Sequence, residues 1–82
     1  MKKKEEVKVR EFESDSIHLV VTLVKPRTGE PWHMIDVWRL FEDPNGRMKL
    51  ARWYYPHQLC HLANVVSAAQ AWIKENLDVE DE

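Results

Sequence analysis

Trp38, Phe41 and Trp53 alternate along the chain with Arg39, Arg47, Lys49 and Arg52. Rings beside cations on an open strand surface can grip single-stranded nucleic acid, because bases stack on the rings and phosphates pair with the cations. The stretch from residue 35 to 49 reads Ile-Asp-Val-Trp-Arg-Leu-Phe-Glu-Asp-Pro-Asn-Gly-Arg-Met-Lys. At its centre, Asp43-Pro44-Asn45-Gly46 has the chemistry of a hairpin turn. Pro44 presets φ, and Gly46 can take the positive φ of a bulged loop. Lys25 and Arg27, just before this hairpin, add two cations that could extend a phosphate-tracking path. Parity limits the arrangement. Ile35, Val37, Arg39 and Phe41 share one strand face, and Trp38 shares the other with Met34, Asp36 and Leu40. Trp38 and Phe41 meet on one surface only if the strand is bulged or strongly twisted.

Other candidate chemistry is weaker. His57, Cys60 and His61 have helical spacings that zinc ligands can use. A fourth ligand would have to come from His18 or His33, and there is no Cys-x-x-Cys pair, so no metal or other cofactor is expected. Ser14, Ser16 and Ser67 lack a Gly-x-Ser-x-Gly elbow, and Asp36 and Glu42 have no evident catalytic partner. Gly29 and Gly46, the only two glycines, do not make a phosphate-cradling loop. The chain does not read as an enzyme.

The elements that would position the hairpin follow from periodicity. Val7 to Phe12 alternates weakly, as an edge strand would, and Glu13-Ser14-Asp15-Ser16 is turn chemistry. Residues 17–25 form the strongest strand, with Ile17, Leu19, Val21 and Leu23 on one face. The other face, with His18, Val20, Thr22 and Val24, is partly apolar and open to partial cover. A loop through Pro26 and Pro31 leads to a third strand, 32–42, and a fourth from about Arg47 to Tyr55. After Pro56 the period changes to 3.6, giving a helix from His57 to about Leu77. Leu59, Leu62, Val66, Ala69, Ile73 and Leu77 form its main apolar stripe. His61, Val65, Ala68 and Trp72 form a second stripe, which suits either a wide core contact or, as the dimer expected here requires, a partner subunit. Trp32 and Trp72 read as core or dimer residues. The expected fold is α+β: a curved four-stranded antiparallel sheet, then one C-terminal helix.

Eighty-two residues make one small domain whose limited core favours oligomerisation. The net charge of −2 hides a gradient. Five of the fourteen acids fall after residue 74, and residues 1–74 carry +3. The expected organisation is a flexible charged arm at 1–6, a folded unit at 7–77 and an acidic tail at 78–82. A lone cysteine, Cys60, points to a reducing, intracellular setting. No apolar run approaches the ~18 residues of a spanning helix, and the N-terminus is too polar for a secretory signal. No membrane association is expected.

The hairpin also resembles the transcriptional positive-cofactor-four family of single-strand DNA-binding coactivators. Ile35-Asp36-Val37, Phe41, Asp43-Pro44-x-Gly46 and Met48-Lys49 fall in the family's register, over about fifteen residues. The resemblance implies a two-fold homodimer that binds single-stranded DNA without sequence specificity, in transcription regulation or in replication and repair. It implies nuclear or nucleoid-associated protein, with transcription or replication proteins as further partners. Phe41 would be the base-stacking aromatic, and Lys49 and Arg52 the basic positions of strand four. The chain departs from the family pattern in having Trp38 where arginine is usual. In place of a glycine- and lysine-rich run it has Lys49 to Tyr55, with three aromatics. These departures imply more stacking and less charge attraction. Single-stranded RNA binding, or a dimeric protein-interaction module that has lost nucleic-acid binding, are the other readings the residues allow.

Overall fold

The computed structural model describes the backbone of residues 5–80 and the side chains of residues 5–76. Lys2, Lys3 and Lys4 of the expected arm, Asp81 and Glu82 of the tail, and the side chains of Leu77, Asp78 and Glu80 lie outside the described residues. The fold is α+β. An open antiparallel sheet is formed by β1 (Glu5–Ser14), β2 (Ile17–Lys25), β3 (Trp32–Glu42) and β4 (Met48–Ala51). Its strands lie side by side in chain order. A 3-10 turn at Pro56–Gln58 leads into the helix α1 (Leu59–Glu80).

Local chemistry accounts for each connection. Asp15 takes a left-handed conformation (φ 56°) between β1 and β2, a region that aspartate tolerates better than most residues. Gly46 has φ 83° in the β3–β4 turn. The Asp43 carboxylate accepts the backbone N–H groups of Asn45 and Arg47, each at 2.9 Å, and the Asp43 N–H donates to the Arg47 carbonyl at 2.8 Å. That network fixes the hairpin register at Arg39 opposite Ala51 and Phe41 opposite Lys49.

The core lies on one side of β2. Ile17, Leu19 and Val21 are fully buried there against Val65 and Ala69 of α1, with Phe12, Val37, Tyr54, Leu62, Trp72 and Ile73 around them. Strand alternation puts Ile35, Val37, Arg39 and Phe41 on this helix side, as the sequence parity required. On the open side Val20 and Val24 are buried although no helix covers them, so the second apolar face of β2 is partly sheltered.

Several boundaries differ from expectation. Glu5 and Glu6 pair with Lys25 and Val24, so they belong to β1 and not to an arm. The full length of β2 offers them backbone partners. Strand β4 stops at Ala51 instead of Tyr55, for a reason given below. The helix continues past Leu77 through Glu80. Both helix stripes share the core, with Leu62, Ala69 and Ile73 of the main stripe beside Val65 and Trp72 of the second. Val65, placed by its sequence on the partner-facing stripe, is 2% exposed in the chain's own core. His61 faces β1, where its Nδ1 lies 2.8 Å from the Ser14 hydroxyl, and Asn64 donates to the same oxygen at 3.3 Å. Trp72 packs edge-on against His33. Only Ala68 of that stripe is exposed. Conversely Leu59 and Val66 of the main stripe are 60% and 46% exposed. The stripes are about a third of a turn apart, and the helix sits over β1 and β2 on the seam between them.

The β3 side of the helix is therefore uncovered. A groove of about 570 Å³ runs between α1 and β3, lined by Leu19, Ile35, Val66, Ala69 and Ile73 with Lys74 at its rim. The radius of gyration is 15.4 Å, above the roughly 12 Å of a compact chain of this length.

Two substitutions test how the second stripe divides between core and solvent. Val65→Glu buries an unpaired charge and should cost about 3–5 kcal/mol. Ala68→Glu should change stability by less than about 0.5 kcal/mol. Urea unfolding followed by circular dichroism reads both.

Candidate nucleic-acid interface

Arg39 is the centre of the site. It stands on the helix side of β3 opposite Ala51, and it is 5% exposed. Its Nε–H donates to the Trp53 carbonyl at 2.8 Å. Its guanidinium carbon lies 4.2 Å from the Trp53 ring centroid and 5.1 Å from those of Phe41 and Tyr55. Among the described residues no carboxylate pairs with it. The planar, weakly hydrated guanidinium suits such a setting, where aromatic faces take the place of water.

The bond from Arg39 also explains the short fourth strand. The Trp53 carbonyl is held by a side chain, and the segment 52–55 leaves the ladder with a bend at Arg52 and an extended Tyr55 at φ −80° and ψ 155°. Strand alternation is not kept beyond that bend. Tyr54 turns to the core, while Trp53, Tyr55 and His57 turn outward. Burial raises the Tyr54 hydroxyl above its usual pKa, and the Arg52 charge pulls it partly back. The Trp53 and Tyr55 rings meet edge to face at 5.1 Å, and Tyr55 stacks on His57 at 5.6 Å with an 11° interplanar angle. Trp53 and Tyr55 remain 54% and 47% exposed. A ladder of rings thus runs outward from the buried cation.

The residues expected to act together are only partly brought together. Phe41 is half-buried beside Arg39, and Lys49 is its cross-strand neighbour on the same face. The Lys49 ammonium is exposed and 3.6 Å from the Asp43 carboxylate. Arg47 is exposed at the hairpin turn. Arg39 itself is a correction: buried under rings, it has no open face for a phosphate. Arg52 is exposed, and its guanidinium is bonded to the Asp36 carboxylate and, at 3.1 Å, to the Val37 carbonyl. The Asp36 hydrogen bond and charge hold the Arg52 pKa above its ordinary value.

Trp38 faces the open side and stacks on His18 at 5.8 Å, away from Phe41. Strand β3 pairs with β2 without a bulge, so no bulge in that ladder unites the two rings. Lys25 lies level with Glu5 at the far end of β2, whereas Arg39 is level with Ile17. Eight strand positions separate these levels, about 27 Å at the usual rise. Lys25, and Arg27 beyond it, are therefore remote from the rings. Trp32, expected in a core or dimer contact, is about half exposed on the open side.

Tyr55 and His57 are the members that sequence reasoning missed. The signal was the two-residue spacing of Trp53, Tyr55 and His57, which continues through Pro56 where strand and helix patterns meet. His57, Cys60 and His61 do not converge: His57 stacks on Tyr55, His61 meets Ser14, and Cys60 is exposed. Among the described residues no group of three potential metal ligands forms, and no helix is long and apolar enough to cross a membrane.

No protein-family model, curated protein or solved structure matches the chain.

Arg39→Lys keeps the charge but loses the Nε–H bond and the planar contact with three rings. It should lower unfolding free energy by about 1–2 kcal/mol in urea titrations. An unchanged midpoint would mean that the rings hold their places without the guanidinium.

Proposed function

We propose that the chain binds single-stranded DNA without sequence specificity, through the rings on the helix side of its β3–β4 hairpin. The observation that carries this reading is the Arg39 cluster. Trp53 and Tyr55 are large, half-exposed rings held against a cation that no carboxylate among the described residues neutralises. Such rings give bases a stacking surface. Phe41 and Lys49 continue the surface toward the turn, and Arg47 adds a phosphate contact there. Transcription regulation, or replication and repair, is the setting this activity fits, in agreement with the family that the hairpin resembles.

We read the active form as a two-fold homodimer. Support comes from the thin, extended chain and from the juxtaposition of a ridge with a groove. Leu59 and Val66 stand out from the helix two turns apart, and Val66 is also a wall of the groove lined by Leu19 and Ala69. A two-fold contact requires one patch to fit itself, and a ridge beside a groove meets that requirement.

One observation favours the alternative of an interaction module that does not bind nucleic acid. Arg52 is committed to Asp36, and Lys49 leans toward Asp43. In that case the same groove would be the working surface.

Affinity measurements separate the readings. Trp53→Ala and Tyr55→Ala should each weaken oligo-dT binding by about 1–3 kcal/mol with little change in salt slope. Lys49→Ala should lower that slope by up to roughly one unit, with a loss that shrinks at high salt. Variants that all bind as the wild type does would leave the interaction module.

Val66→Glu should convert a dimer to a monomer in sedimentation at micromolar concentration, with the helical signal retained. A wild-type monomer at that concentration would end the dimer reading.

A further inference from the structure

Arg39 lies over one face of Trp53 at 4.2 Å, while Trp53 keeps more than half of its surface exposed. The open face is therefore the one turned away from the cation. Tyr55 differs, because His57 stacks on it and Trp53 meets it edge to face. Phe41 is half-buried. Of the three rings around Arg39, Trp53 has the broadest free surface.

A cation held against one face of an aromatic ring draws electron density toward itself and makes the opposite face less negative. Such a face stacks best on a large, electron-rich partner. Purines exceed pyrimidines both in ring area, hence in dispersion contact, and in electron richness. We infer that Trp53 is a purine-preferring stacking position and that Arg39, fixed behind it, is the positioning residue that sets this preference. The inference rests on the single-strand reading and adds base class to it. Arg39 acts through the ring and touches no phosphate, so its removal should change base preference and leave the salt slope alone. A phosphate-binding arginine would do the reverse.

The test compares affinities for oligo-dA and oligo-dT of equal length in the wild type, Arg39→Met and Trp53→Ala. Ratios between proteins cancel the self-stacking of the free oligonucleotides. The dA-to-dT affinity ratio should fall by about 2–5-fold in Arg39→Met, the size expected for one cation–ring contact. The salt slope should stay the same, and Trp53→Ala should show the same fall. Because Trp53 is largely exposed, that variant keeps the test decisive even if Arg39→Met fails to fold. A ratio identical in wild type and Trp53→Ala would overturn the inference. So would a folded Arg39→Met with an unchanged ratio, or one whose salt slope drops by about one unit. Wild-type protein that binds neither oligonucleotide would instead overturn the single-strand reading itself.

Discussion

A guanidinium group removed from water and surrounded by rings is the constraint on which this molecule's architecture turns. Taking a charge out of water is costly, and the cost must be met locally. At Arg39 it is met by three aromatic faces and one carbonyl oxygen. Those partners come from β3 and from the segment that follows β4, so satisfying one side chain pins two pieces of chain together. The same bond holds the segment just past the end of β4 at Ala51, where Tyr54 packs against the core and Trp53 and Tyr55 stay exposed. Pro56 then starts the helix from a position already set.

The proposed activity follows from how charge is distributed around that cluster. Arg52 shares its charge with Asp36, and Lys49 lies close to Asp43. The hairpin is thus richer in stacking surface than in unshared positive charge. Stacking depends weakly on salt and is indifferent to sequence, whereas phosphate pairing falls away as salt rises. A protein built this way would hold unpaired bases with a shallower salt dependence than a lysine-rich binder, and duplex DNA would offer its rings little.

Much of the fold was legible in the sequence because its signals were local. Alternation in residues 17–25 placed Ile17, Leu19 and Val21 in the core, and the Asp43–Gly46 chemistry located the turn with its positive φ. The change to a 3.6 period after Pro56 marked the helix. Contacts between distant segments were not legible. Nothing local to Arg39 shows that its guanidinium will take the Trp53 carbonyl, so β4 looked longer and Arg39 looked like a phosphate contact. How two apolar helix stripes share the core depends on where the helix lands on the sheet, and only packing decides that. For the same reason Arg52 could not be assigned to Asp36 by inspection. Tyr55 and His57 were hidden because their spacing crosses the boundary between two periodic patterns.

The central claim is that the Arg39-centred rings hold unpaired bases. The most direct measurement is a titration of the wild-type chain with labelled oligo-dT, oligo-U and duplex DNA at two salt concentrations, with tryptophan fluorescence recorded in parallel. The account predicts tighter binding of oligo-dT than of duplex at both salts, and tryptophan quenching that saturates with the binding curve. Oligo-U binding as tightly as oligo-dT would extend the activity to RNA. Equal affinity for duplex and single strand, lost at the higher salt and without quenching, would contradict the account.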